Sequence, residues 1–424
     1  MKKIILMISF FALTTANGQM RPLETRDVDA TYTPIEPSKI QTSTPLIYSL
    51  LQPKGFNSTQ VNVNPNGMNI INDAANEPSL AVNPLNPNQI AVGWRQFDSI
   101  FNSFRQAGNA YSTDGGKTWN YKPPIEAGRF RSDPVLESNA DGEFYYQSLR
   151  VDIDNQGNAS NFFVDQWKSY DGGANWVEKT FANGGDKSWI GIDKTNGLGR
   201  GNIYAAWNVA GNSYYPSTFN HSIDKGNSYT EPRLIPKSPI FGTVEVGSEG
   251  ELYVFGTQGF LNPGSYNNFY LTKSFNPTIQ FPNFPQVTRV NLGGALSLGP
   301  FINPEGLTGQ LYVVVDSSER QSRNNVYVMG SVSPFGSDPL DVRFARSIDG
   351  GLSFAPSIKI NTDTGVNWQW FGTMSIAPNG RIDIIWYDTR SDEGGQGNSI
   401  SSKLFYTYSY DGGLTFAKEE AISP

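Results

Sequence analysis

The 424-residue chain contains no cysteine and a single histidine, His221. Without thiols there can be no disulfide, no thiolate nucleophile, no lipid-bearing cysteine and no thiolate metal site. With one imidazole, neither a multi-histidine zinc centre nor a paired-histidine lyase site can be assembled. Charged residues are sparse at 17%, and the net charge of −7 gives no support to a nucleic-acid partner. No Gly-rich phosphate loop and no Ser/His/Asp arrangement is evident. No apolar run approaches the roughly 20 residues that span a bilayer, so no membrane span is expected. No segment after the N-terminus sustains a 3.6-residue apolar period over three turns, which argues against helices.

The N-terminus reads as a secretory signal, with Lys2 and Lys3, an apolar core from Ile4 to Leu13, and small residues Ala16 and Gly18 before Gln19. Cleavage there takes the net charge from −7 to −9 and places the chain outside the cytoplasm, periplasmic or secreted. Residues 19–60 are rich in Pro, Thr and Ser and read as an extended arm or linker.

What the sequence has in abundance is aromatic residues (13%) and glycine (43), arranged in a repeat. The stretch YSTDGGKTWN, Tyr111 to Asn120, returns as KSYDGGANW, HSIDKGNSY, RSIDGGLSF and YSYDGGLTF, around Asp171, Asp224, Asp349 and Asp411. One interval is about twice the others, and KSFNPTIQF, with Ser274, Asn276 and Phe281 in frame, fills it as an eroded copy. Upstream of each box lie two apolar runs joined by a turn, as in PVLESNADGEFYYQSL and MSIAPNGRIDIIW, which read as hairpins. Six units of about 50 to 60 residues, each of roughly four strands, predict an all-β fold, a six-bladed β-propeller over residues 61–424. The box is then the turn between third and fourth strands: its aspartate accepts backbone N–H groups, a glycine takes positive φ, and its aromatic wedges between sheets. Either Val61–Asn64 or the segment Phe416–Ile422 could supply the strand that completes the ring. A monomer is expected.

Boxes of the form S-x-D-x-G-x-T-W on six β units resemble the Asp-box (BNR) repeats of sialidase-like propellers. In sialidases, that resemblance implies, three arginines clamp the substrate carboxylate, an aspartate is acid/base, and a tyrosine paired with glutamate is the nucleophile. FRSDP is similar to the first-arginine motif, with Arg131 as clamp, although it carries an extra residue and opens the second unit. QSLRVDID is similar to the stretch bearing the second arginine and the acid, which implies Arg150 as clamp and Asp152 or Asp154 as acid. Glu245 would stand for the glutamate; Phe371 falls near the expected tyrosine and has no hydroxyl to attack with. Tyr387 is the residue that could replace it, on the opposite strand face from Asp388.

Propeller ligands bind where the innermost strands begin, at the mouth of the central channel. Glu77, Arg131, Asp133, Asp186, Lys187, Trp189 and Trp370 fall at such positions, and Asp388 and Arg390 end a second strand in the last unit. Asp133 and Asp186 could serve as catalytic acids with the tryptophans as stacking faces for sugars; the same charges could equally neutralise one another around the channel. DIDNQG, from Asp152 to Gly157, has the oxygen spacing of a calcium loop but lacks a terminal bidentate glutamate, and a polar turn reads as well. No cofactor is required. Two functions follow: an exported glycoside hydrolase acting on a terminal or acidic sugar, or a non-catalytic propeller binding glycans or proteins.

Overall fold

A computed structural model describes residues 31–44, 56, 58–153, 160–258, 266–300, 302–303, 306–392 and 401–423. Among these, regular structure is strand apart from a single 3-10 turn, Pro37–Lys39. Six antiparallel sheets follow one another in chain order and form a six-bladed β-propeller. In blade one the strands are Ala74–Val82, Ile90–Phe97, Gln106–Ser112 and Asn120–Ile125, each paired with the next. Blade two repeats this with Arg131–Ser138, Phe144–Arg150, Phe163–Ser169 and Val177–Phe181. Blade six ends the series with Gln369–Ile376, Ile382–Asp388, Lys403–Ser409 and Glu420–Ala421. The chain's own C-terminus therefore supplies the outer strand of the last blade, with Phe405 opposite Ala421.

The repeated box builds the same turn each time. In the first copy the Ser112 hydroxyl and the Thr118 amide donate to Asp114 Oδ1 at 2.8 and 2.9 Å, and the Gly116 amide donates to Ser112 Oγ at 2.9 Å. Hydrogen bonds from Thr118 are the main reason the Asp114 carboxyl is held down at about 2. Asp171, Asp224, Asp349 and Asp411 repeat the frame. The second glycine is needed for approach as well as for φ: a Cβ on Gly413 would lie 2.6 Å from Phe344 in the preceding blade. Box aromatics wedge between sheets, Phe354 and Phe416 against the two largest apolar clusters. His221, on the third strand Phe219–Ser222, is buried and stacked on Tyr204 and Phe219, so burial keeps its imidazole neutral, with its pKa pushed down to about 4.

The joint between blade six and blade one differs from the other five. The inner strand of blade one leaves Leu80 59% and Val82 39% exposed, whereas apolar clusters join blade one to two, two to three, three to four, four to five and five to six. The N-terminal segment bridges this joint. Phe56 meets Tyr406 of blade six edge-on at 6.4 Å, while Val61, which forms no strand, packs on Val92 and Trp94 of blade one.

Candidate active or binding face

The inner strands share an irregularity that sequence periodicity does not show. Glu77, Asp133, Lys187, Phe241 and Phe371 all have φ between 46° and 56°, one in each of five blades. At three of them the pairing with the second strand slips by one residue, the mark of a β-bulge. Non-glycine residues in this region are uncommon and gather at functional sites, because surrounding structure must hold them there.

These bulges are tied to one another. The Lys187 amide donates to Asp133 Oδ2 at 3.1 Å, and its ammonium reaches Glu77 at 3.3 Å. Arg95 pairs with Glu77 at 3.2 Å and lies 3.9 Å from Asp133. The Lys187 ammonium sits 5.7 Å from the Trp189 ring; Trp189 meets Tyr312 edge-on, and Thr373 of blade six lies near enough to the Tyr312 hydroxyl to oppose the rise that burial gives its pKa. Thr373 Oγ1 donates to the carbonyl of Phe371, whose ring contacts Trp370, which in turn contacts Tyr387 at 5.3 Å. A continuous band of charge and then aromatic surface therefore crosses the mouth from blades one to three to blade six.

Burial opposes ionisation of Asp133, yet Lys187, Arg95 and Arg105 outweigh it and hold the carboxyl well below the usual range. At 8% exposure and permanently ionised, it is suited to positioning Lys187 rather than to giving or taking a proton near neutral pH. Asp186 is bonded to Asn208 through both its carboxylate and its carbonyl.

Arg131 and Arg150 do converge, but on a residue the sequence did not single out, Asp165. Arg131 lies 2.8 Å from it, Arg150 3.2 Å and Lys179 3.3 Å. Arg131 also pairs with Glu126, stacks on Trp167 at 4.7 Å, and has zero exposure. Asp152 is held between Arg129 and Arg150, which lower its pKa against the effect of burial. Asp154, and with it most of the proposed calcium loop, lies outside the described residues; among those described, no group of three or more acids or histidines could hold a metal. Asp388 and Arg390 form a third cluster, in which Arg390 pairs with Asp388 at 2.6 Å and with Glu419, and Trp386 donates to Asp388 at 3.0 Å. Glu245, on the inner strand of blade four, is pushed up to about 8, chiefly by burial, with Glu137 adding to the rise and Lys194 opposing it.

One pair escaped sequence reasoning altogether. Ala74 is opposite Phe97, so Asp73 and Asp98 stand at the open end of the blade-one hairpin. Gln96 donates to Asp73 at 3.4 Å, and Gln106 donates to Asp98 at 2.6 Å. Burial, and then repulsion from Asp98, push Asp73 up to about 6 although Gln96 opposes the shift; burial likewise raises Asp98 against its bonds to Tyr32 and Gln106. Counted from the bulge, Asp73 and Asp98 occupy the places of Arg129 and Asp152 in blade two, an ion pair at 2.7 Å. Blade one has put a second acid where blade two has a cation.

This pair makes stability pH-dependent in a stated direction. The folded pKa of Asp73 exceeds its unfolded value of 3.8, so between about 4 and about 6 the folded state holds a proton the unfolded chain has lost. Stability therefore falls as pH rises through that window. Asp73→Asn is expected to raise the urea midpoint at pH 7 and to leave it nearly unchanged at pH 4.

No family model and no curated protein matches the chain. Among solved structures, a variant of the NanB sialidase from Streptococcus pneumoniae superposes with a TM-score of 0.52 at 12% identity, over 84% of this chain and 69% of that one. The fold is that of a sialidase-like propeller. The intramolecular trans-sialidase from Ruminococcus gnavus gives 0.49 at 13% identity, over 79% and 94% of the two chains. A protein of unknown function from Dyadobacter fermentans gives 0.46 at 14%, over 81% and 95%. At such identities the sialidase-like likeness is one of fold.

Proposed function

We propose that the protein is an exported carbohydrate-binding propeller whose ligand lies across the channel mouth. The observation that carries this reading is the aromatic surface of blade six, where Trp370 contacts both Phe371 and Tyr387 and the latter two are 37% and 40% exposed. Aromatic faces beside charged and hydroxyl groups are what a sugar ring needs, apolar C–H faces against the rings and hydroxyls toward Lys187, Glu77 and Thr373. A sialidase-type carboxylate clamp has less support. A guanidinium with zero exposure, paired with Glu126 and Asp165, presents no atom to a substrate arriving from solvent.

Binding of mono- and oligosaccharides measured by calorimetry is expected to weaken about 5- to 10-fold in Tyr387→Ala and in Phe371→Ala, about 1 kcal/mol for each ring. An unchanged affinity in both variants would remove the blade-six surface from the site. A second reading, a glycoside hydrolase, is favoured by Asp73 and Asp98, two carboxyls whose surroundings push them toward neutral pKa values as an acid/base pair requires. Turnover of aryl glycosides that disappears in both Asp73→Asn and Asp98→Asn would select it, and absence of turnover would leave the binding reading.

A further inference from the structure

The end of the propeller opposite the mouth, where the boxes lie, carries a series of exposed, largely apolar side chains. The position between serine and aspartate of the box makes none of the turn's side-chain hydrogen bonds. It is nevertheless Tyr170, Ile223, Phe275, Ile348 and Tyr410 in blades two to six, exposed by 54%, 53%, 58%, 72% and 48%. After the glycine pair, blades five and six add Leu352 and Leu414, at 66% and 59%. Blade one has Thr113 and Lys117 at the two places, so the box geometry tolerates polar residues there. The surface is thus an addition to the turn rather than a requirement of it.

Summed over blades two to six, the seven side chains present on the order of 800 Å² of largely apolar surface, about what each partner buries in a standard interface. Beside it, a shallow open depression lies between the outer strand of blade four and the box of blade five, lined by Phe275, Val287 and Leu352 together with Gln286, Thr288 and Arg289. The rim carries both signs: Arg320, which donates to the Tyr410 carbonyl and lies over its ring at 5.6 Å, and Arg323, near Glu319 and Glu249. A lipid surface would select cations alone, whereas a two-fold contact requires one patch to be complementary to itself.

We propose that the protein dimerises through the box end, one copy against another about a two-fold axis, in place of the monomer expected from sequence. The two channel mouths then face away from each other, so a single dimer can engage two ligands. The proposal is independent of what the mouth binds.

Sedimentation equilibrium of the leader-processed chain between 0.5 and about 50 μM tests it. A dimer mass at the upper concentrations is expected, with Ile348→Asp/Leu352→Asp and Tyr410→Asp/Leu414→Asp each weakening association at least about 100-fold, about 2.8 kcal/mol. All four side chains are exposed, so at about 0.5 μM, where association adds least to stability, melting temperature should change little, which separates lost association from lost folding. Phe101→Ser, 81% exposed on the loop after the second strand of blade one at the other end, should leave the dimer intact. A monomer throughout the range, a dimer that survives both pairs of substitutions, or open-ended oligomers would each overturn the proposal.

Discussion

Arg131→Met should cost about 3 kcal/mol of folding stability and leave glycan affinity unchanged. The guanidinium is fully buried in the joint between blades one and two, over Trp167 and between Glu126 and Asp165. Removing one partner of a buried ion pair typically costs 3–5 kcal/mol, because the remaining charge keeps its desolvation penalty without its counter-ion. Asp165 is 2% exposed but would retain Arg150 at 3.2 Å and Lys179 at 3.3 Å, which places the expected loss at the lower end. Methionine fills much of the volume of the arginine stem, so the loss reports charge rather than a cavity. Arg131→Lys should fall between the two proteins, since an ammonium keeps the charge but cannot span two carboxylates with a planar fork. Urea unfolding measures the first quantity and calorimetric titration with sugar the second. An arginine acting as a substrate clamp would give the reverse: unchanged stability and lost binding.

The contrast between blade two and blade one shows where the sequence was readable. Boxes recur, so one turn seen five times identifies itself, and the eroded sixth copy at Asn276 is recognised by its place in the count; Thr278 still donates to Asn276 at 2.8 Å. The fold followed from that repetition. Site chemistry does not repeat, and each of its contacts joins residues distant in sequence. Glu77 meets Lys187 across 110 positions, and Asp165 meets Arg131 within a blade but on a strand whose pattern, FVDQWKS, gives no sign of it. Asp73 and Asp98 were accessible in principle, since they flank the two strands of the first hairpin, whose pairing brings their ends together as it does Arg131 and Arg150 in the second. What the alternation could not supply was the bulge, which shifts the register by one residue and re-aims Glu77, Asp133 and Phe371.

The same bulges make backbone space at the mouth scarce, and the most severe single substitution should be Gly242→Ala. Gly242 follows Phe241, the left-handed residue of blade four, at the break between the short strands Pro239–Ile240 and Val244–Val246. A Cβ there would lie 1.8 Å from the Phe255 carbonyl oxygen and 2.9 Å from the Gly256 Cα. Both are backbone atoms of the paired second strand, so no rotamer change relieves the clash. The neighbours have little freedom to move either: Phe241 accepts the Leu311 amide from blade five at 2.8 Å and donates to Asn208 of blade three at 2.7 Å, which ties three blades to one bulge. The cost is expected to exceed about 4 kcal/mol, the range reserved for a few defined lesions, of which backbone overpacking is one. The readout is a large fall in soluble yield and in urea midpoint. Gly336→Ala is the matched control, since its Cβ would meet nothing within 4 Å and its stability should stay within about 0.5 kcal/mol. If Gly242→Ala unfolds at the wild-type midpoint, the inner strand of blade four is not pressed against its neighbour.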